Sequence, residues 1–201
     1  MATLGDLKTR IADELLKRNL NNQIALHIAR AIEFYAGRRF WFNTGRIAGS
    51  VTPNEAGRAS LAGAYSPRLI DEVRVGPTTL RRRDISEIYD GQASVPVTGE
   101  PYEYAIDGSE IVLNPVPLGA VSLVVFGTFD LPALDSDAAS NAWTNEGADL
   151  IAARARMTLY RDVLRDPEGM ALAKDAIRDA ESDLDMKTIR RVGTGQVRLY
   201  A

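Results

Sequence analysis

The sequence predicts an α+β fold in which helical ends bracket a β-rich middle. Near both ends of the 201-residue chain, apolar residues recur at spacings of three and four, the period of one face of a helix. Between them, short runs of β-forming residues are punctuated by glycine, proline and asparagine, which is typical of strands and turns. We therefore expect a four-helix bundle, built from two N-terminal and two C-terminal helices, with an inserted small antiparallel β domain and an extended C-terminal tail.

Two helices are predicted in the first 36 residues. Thr3 and Asp6 resemble a capping pair at the start of a helix over residues 3–18. A second helix is expected over residues 22–36, since Gly37 is a natural stop. The apolar residues predicted to face the core are Leu4, Leu7, Ile11 and Leu15 in the first helix, and Ile24, Ile28, Ala31, Ile32 and Tyr35 in the second.

The middle of the chain contains roughly six strand-like runs. The clearest pair is a hairpin in which Asp107-Gly108 joins residues 102–106 to residues 110–113, because Asp-Gly readily adopts the positive φ of such turns. The last strand is expected at residues 121–129, and Asp84 is expected to cap a short helical turn. The other well-defined runs are residues 46–52 and residues 69–75.

Helical periodicity returns after a linker of Asp, Ala and Ser at residues 134–140. One helix is expected over residues 145–165. Asp166-Pro167 starts another, because aspartate caps helices and proline suits their first turn. In this last helix Asp183 and Lys187 form a favourable i,i+4 pair. Its apolar residues are Met170, Ala173, Ile177, Ala180 and Leu184.

These elements divide the chain into three parts. We expect residues 1–37 and 141–190 to form the helical bundle domain, and residues 38–140 to form the inserted β-rich domain. Residues 191–201 would form a C-terminal arm.

The composition of the chain limits which classes of function the protein can have. Apolar residues make up 45% of the chain and charged residues 25%, as in soluble globular proteins. There is no cysteine, which excludes disulfides, thiolate metal sites and a cysteine nucleophile. The net charge of −3 gives no global field that would attract nucleic acid. No apolar stretch approaches the ~20 residues of a membrane span, and no signal peptide is expected.

The sequence contains no recognisable catalytic constellation, so we expect no enzyme activity, no cofactor and no metal site. His27 is the only histidine, and it has no cysteine or second histidine with which to share a metal. We predict it to be a surface or boundary side chain. Asp135 and Asp137 are more typical of a solvated loop than of an acid–base pair. Gly193-Thr194-Gly195 is too short for a dinucleotide-binding loop.

Three groups of residues suit contacts with other molecules better than catalysis. In the aromatic run Phe40, Trp41 and Phe42, the rings either enter the core or join an interface between subunits; Arg154 and Arg161 are further subunit-interface or core candidates. Arg81, Arg82 and Arg83 form either a solvated strand end or a salt-bridging or phosphate-facing patch. The acid-free C-terminal segment would order on a partner. Its candidate contact residues are Lys187, Arg190, Arg191, Val197, Arg198, Leu199 and Tyr200.

Short motifs along the chain resemble, in order, those of the head-to-tail adaptor proteins of tailed bacteriophages, particularly the podovirus-like group. Their order and spacing carry a resemblance that spans nearly the whole chain. The motifs are residues 38–43 (RRFWFN), residues 101–108 (PYEYAIDG), residues 111–117 (IVLNPVP), residues 140–143 (SNAW) and residues 166–168 (DPE).

The resemblance implies a virion structural protein that forms a ring, commonly dodecameric, at the neck between capsid and tail. Its partners would be the portal protein, a downstream tail, nozzle or stopper protein, and further copies of itself. DNA would pass through the channel without sequence-specific binding, and no membrane would be involved. By position, the C-terminal arm would reach the portal. The protein would be made in the host cytoplasm and end in the virion.

Two other functions stay open at this point. One is another neck or tail component, such as a stopper. The other is a small nucleic-acid-binding module that uses residues 81–83 and the basic tail, and its binding would depend steeply on salt.

Overall fold

The computed structural model describes residues 1–17, 19–51, 54, 57–60, 66–91 and 97–192 of the chain. Within them the protein is a mixed α+β structure with six α-helices and two small sheets, which confirms the predicted fold class at this level. The chain divides into two compact units. Unit 1 comprises Met1–Asn43 and Leu131–Ala201, and unit 2 comprises Thr44–Asp130. Residues 38–43 and 131–140, assigned to the β-rich part on sequence grounds, belong to unit 1.

The helices follow the predicted order, with one difference near the C-terminus. A π-helical turn at Tyr160–Leu164 directly continues the α-helix Ala148–Leu159, and Arg165 then adopts a left-handed conformation with φ of 52°. The helix predicted over residues 145–165 therefore corresponds to these two contiguous elements. The helices are α1 (Leu4–Glu14), α2 (Asn21–Ala36), α3 (Ile85–Gly91), α4 (Ala142–Asn145), α5 (Ala148–Leu159) and α6 (Pro167–Val192).

The starts of α1 and α6 are the predicted ones. The Asp6 amide donates to Thr3 Oγ1 at 3.2 Å, and the Thr3 amide donates to Asp6 Oδ2 at 2.9 Å. These bonds satisfy backbone donors that a helix start leaves unpaired, and they hold the pKa of Asp6 below its usual value. At the start of α6, the Gly169 amide donates to Asp166 Oδ1 at 3.0 Å.

Helices from both ends of the chain share one hydrophobic core in unit 1. α1, α2, α5 and α6 all contribute to it, and Trp143 joins from α4. Every apolar position predicted for these helices lies in this core or packs against it. Along α5 the buried residues are Leu150, Ile151, Ala152, Ala153, Ala155, Met157 and Leu159. Because they point in all directions around the axis, α5 is the central helix of the unit.

Unit 2 contains two four-stranded sheets, with the strand orders β1-β8-β3-β4 and β2-β7-β6-β5. Side chains from both sheets form one core. Among the strands that the structure describes, the pairings are antiparallel, as predicted, except for that of β5 with β6, which is parallel. The strands are β1 (Thr44–Val51), β2 (Arg58–Ser60), β3 (Pro67–Val75), β4 (Thr78–Thr79), β5 (Arg81–Arg82), β6 (Glu103–Asp107), β7 (Glu110–Asn114) and β8 (Val121–Phe129).

The β6–β7 hairpin is the one that the sequence predicts. Ile106 pairs with Ile111 across the turn, and Gly108 has a φ of 61°, which glycine adopts without steric cost. β8 has the predicted bounds. A strand end at Arg81–Arg82 was among the expectations and corresponds to β5. β2 and β4 were not predicted, because runs of two or three residues are too short to show a period.

Candidate functional site

Two residues hold the C-terminal half of α6 in place: Tyr35, near the end of α2, and Arg38, just beyond it. Tyr35 Oη donates to Glu181 Oε1 at 2.8 Å. The Arg38 guanidinium binds Glu181 at 3.0 Å and Asp185 at 2.6 Å. Burial and the bond to Glu181 raise the pKa of Tyr35, so its hydroxyl stays protonated and remains the donor. These contacts fix the position of α6 before its last two turns.

The last turn of α6 is held by an aromatic ring. The Arg191 guanidinium lies 4.6 Å from the centroid of the Trp41 ring, within the range of a cation–π contact. The Trp41 amide donates to Thr188 Oγ1 at 3.4 Å. The helix thus includes Arg191, the first residue of the predicted arm, and it ends at Val192. Four of the predicted portal-contact residues lie outside the described residues: Val197, Arg198, Leu199 and Tyr200.

The other predicted portal-contact residues share the same short stretch of helix. Lys187 Nζ binds Asp183 at 2.6 Å, as the i,i+4 spacing predicts. Arg190 is exposed. Beside them, the side chains of Met186 and Ile189 are about half exposed, at 48% and 55%. These two were missed on sequence grounds, although both are apolar residues that fall off the predicted core stripe of α6.

The aromatic run after α2 is part of the core of unit 1. Phe40 is fully buried. Its ring stacks on Phe42 at a centroid distance of 5.4 Å and meets the edge of Trp143 at 5.8 Å, arrangements that aromatic pairs favour. Asn43 closes the turn, since its Oδ1 accepts from the Phe40 amide at 2.8 Å. Trp143 was not linked to this run on sequence grounds, because the two are far apart along the chain.

The two arginines predicted for a subunit interface or the core, Arg154 and Arg161, differ in their surroundings. Arg161 is exposed and binds its neighbour Asp162 at 2.6 Å. Arg154 is half-buried, and its guanidinium lies 3.8 Å from the centroid of the Phe34 ring. Phe34 itself is 60% exposed. An exposed ring stacked by an arginine is typical of residues that anchor interfaces, and Phe34 was not among the contact residues predicted from sequence.

The three arginines of the predicted patch in unit 2 differ in their contacts. Arg83 binds Glu103 at 2.8 Å and Glu87 at 3.4 Å, and this lowers the pKa of Glu103. Arg81 and Arg82 lie on the edge strand β5 and are exposed. Neither has an ion-pair partner in the part of the chain that the structure describes.

The profile of the SU10 adaptor protein family matches residues 2–199. The chain belongs to this family. Membership confirms the resemblance to phage head-to-tail adaptors and makes the adaptor a bacteriophage virion protein with a structural role. No curated protein sequence matches the adaptor. A family of structural proteins also argues for a non-enzymatic role.

His27 of the adaptor is buried, so its prediction as a surface or boundary residue was wrong. Its Nδ1 lies 2.7 Å from Thr158 Oγ1, and burial lowers its pKa. The error arose because His27 borders the apolar stripe of α2, and only the packing of α5 against α2 covers it. Across the described ranges, no group of His, Asp and Glu residues is placed to hold a metal ion. None of the helices in those ranges is long and apolar enough to cross a membrane.

Proposed function

We propose that the adaptor forms a ring under the portal and links it to the tail, with a central channel through which DNA passes. The match of residues 2–199 to the adaptor family carries this proposal. In the proposed neck the ring is dodecameric, with the portal protein on the head side and a nozzle or stopper protein on the tail side. The net charge of −3 suits such a channel, because a strongly basic lumen would retard the DNA.

In this proposal α1, α2, α5 and α6 act as one four-helix bundle domain, and unit 2 is an insertion in it. The single core shared by the four helices supports the first statement. The second is supported by the continuous chain of unit 2, Thr44–Asp130, which interrupts unit 1.

The proposed contact with the portal is the C-terminal arm, together with the exposed end of α6. The contacts of Tyr35, Arg38 and Trp41 with α6 fix the point at which the chain leaves the helix. Residues 193–201 then supply apolar side chains and one arginine, Arg198, without any acid, a composition suited to a segment that orders on a partner.

The test deletes residues 193–201, which leaves α6 and its contact with Trp41 intact. We expect an unchanged thermal midpoint and a loss of binding to phage heads that carry the portal. Replacing Val197, Leu199 and Tyr200 by Ser should have the same effect. The matched control replaces Thr194 and Gln196 by Ala in the same segment and should bind normally. A truncated adaptor that binds with undiminished affinity would place the portal contact elsewhere.

A nucleic-acid-binding role is the second candidate, favoured by the exposure of Arg81 and Arg82. It predicts DNA binding that weakens steeply as salt increases and that disappears when both arginines become Ala. The matched control is Arg178→Ala, since Arg178 is also a strongly exposed arginine. Absence of DNA binding at low salt eliminates this candidate.

A stopper role is separated from an adaptor role by co-purification with the tail tube rather than with the portal.

A further inference from the structure

Unit 1 carries a protruding aromatic residue on one surface. Phe34 is 60% exposed and its ring is covered on one side by the Arg154 guanidinium. Arg30 lies one turn earlier on α2, so its side chain falls on the same face, and Leu26, 49% exposed, lies one turn before that. Neither Arg30 nor Arg154 has an ion-pair partner among the described residues. We name Phe34, Arg30 and Arg154 the knob.

Unit 1 also carries a groove between the N-terminal end of α5 and the middle of α6. Its floor is apolar and shallow, since it consists of the buried Leu150 and Leu184 and the small Ala176 and Ala180. The rim is formed by four carboxylates: Glu146, Asp149, Asp179 and Asp183. We name these eight residues the groove.

Two of the four rim carboxylates are already neutralised within the unit. Asp149 binds Arg10 at 2.7 Å, and Asp183 binds Lys187 at 2.6 Å. Glu146 and Asp179 are exposed and have no ion-pair partner in the ranges that the structure describes. The groove therefore offers an apolar floor beside two carboxylates that form no ion pair among the described residues, and the knob offers an aromatic ring beside two guanidinium groups that form none there either.

We propose that the knob of one copy binds the groove of the next copy, and that this contact builds the ring. The proposal rests on the ring of the proposed function. Phe34 would cover the alanine floor, and Arg30 and Arg154 would pair with Glu146 and Asp179. In the proposed ring each copy gives its knob to the next copy and its groove to the copy before it, which makes the contact heterologous, the type from which rings are built. DNA would be repelled by the carboxylates of Glu146 and Asp179, which form no ion pair among the described residues, so a second copy is the occupant with complementary charge.

A charge-exchange experiment tests the contact. One variant carries Arg30→Glu with Arg154→Glu, and the other carries Glu146→Lys with Asp179→Lys. Each alone should assemble on portal-bearing heads at least about tenfold less well than the wild type, since like charges would meet at every interface. An equimolar mixture should recover the wild-type number of copies per head, because the two variants alternate around the ring with opposite charges facing each other. Unchanged thermal midpoints show that each variant folds.

Cross-linking gives an independent readout. The chain has no cysteine, so Gly37→Cys and Ser182→Cys each introduce a unique thiol beside the knob and beside the groove without removing a contact residue. Gly37 has open space where a side chain would be added. A short thiol cross-linker should link copies when the two variants are mixed, and neither variant alone should form linked dimers. Links between two copies of the Gly37→Cys variant, or from that variant to the portal, would overturn the proposal.

The two hypotheses fail in different ways. If wild-type adaptor does not bind portal-bearing heads, the proposed function fails, whereas cross-linking in concentrated solution still tests the contact between copies. If the wild type binds heads and both charge variants assemble as well as it does, the knob and groove do not form the interface.

Discussion

The two units of the adaptor differ in which parts of the chain form their internal contacts. In unit 1 the contacts join distant parts of the sequence, as in the bonds of His27 with Thr158 and of Tyr35 with Glu181. Unit 2 is one continuous segment whose first and last strands, β1 and β8, pair along their whole length. The core of unit 1 therefore depends on chain from both sides of the insertion, whereas unit 2 contains all of its own core.

The surfaces of the two units differ as well. The knob, the groove and the end of α6, which we assign to assembly, all belong to unit 1. On unit 2 the exposed arginine pair of Arg81 and Arg82 is the corresponding charged feature. If the units fold independently, changes in one core should leave the other intact, and the following experiments measure this.

The largest effect is expected from Phe40→Ala. Phe40 is fully buried between Phe42 and Trp143, and removing such a ring costs about 3–5 kcal/mol in the free energy of unfolding. Both tryptophans of the chain, Trp41 and Trp143, lie in unit 1, so tryptophan fluorescence during denaturant unfolding reports on this unit.

The matched control is Leu113→Ala, which removes a fully buried side chain from the core of unit 2 at a cost of about 2–5 kcal/mol. It should shift the unfolding seen by circular dichroism and leave the tryptophan transition where it is. A tryptophan transition that moves equally in both variants would mean that the two units unfold as one.

An intermediate effect is expected from Gly127→Ala in β8. A Cβ at this position would overlap the carbonyl oxygen of Leu69 in the neighbouring strand β3, and the backbone there is held by pairing. Overpacking of this kind costs about 1–3 kcal/mol or more. Gly45 pairs with Gly127 across β1 and β8 and has open space around it, so Gly45→Ala is the control. Equal destabilisation by both substitutions would refute the steric explanation.

The smallest effect is a pH dependence confined to unit 1. Burial lowers the pKa of His27, so the unfolded chain takes up a proton more readily than the folded one. The stability that depends on neutral His27 is complete above about pH 6.5 and is lost as the pH falls through the lowered pKa of the folded state. The tryptophan-detected midpoint should therefore be lower at about pH 5.5 than at about pH 7.5. His27→Gln should abolish that difference, and a difference that persists would assign it to other groups.

The regular helices and long strands of the adaptor could be predicted from sequence because their signals are local. The stripe of α2, the cap of α1 and the Asp107-Gly108 turn each depend on residues within a few positions of one another. The π-helical turn at Tyr160–Leu164 was missed, since residues 145–165 are helical in composition throughout. Of the contact residues, the basic residues at the end of α6 were found from their charge. Phe34 was missed because an aromatic residue on a helix looks the same whether it is buried or exposed.

The sequence by itself determined the order of the elements, the absence of cysteine chemistry and the membership of an adaptor family, because these depend on residue type and spacing along the chain. Only the tertiary structure decided that His27 is buried, that Arg191 packs on Trp41, and that Glu146 and Asp179 border an apolar groove between α5 and α6. Burial and charge compensation are properties of which helices pack together, and neighbours in space are not neighbours in sequence.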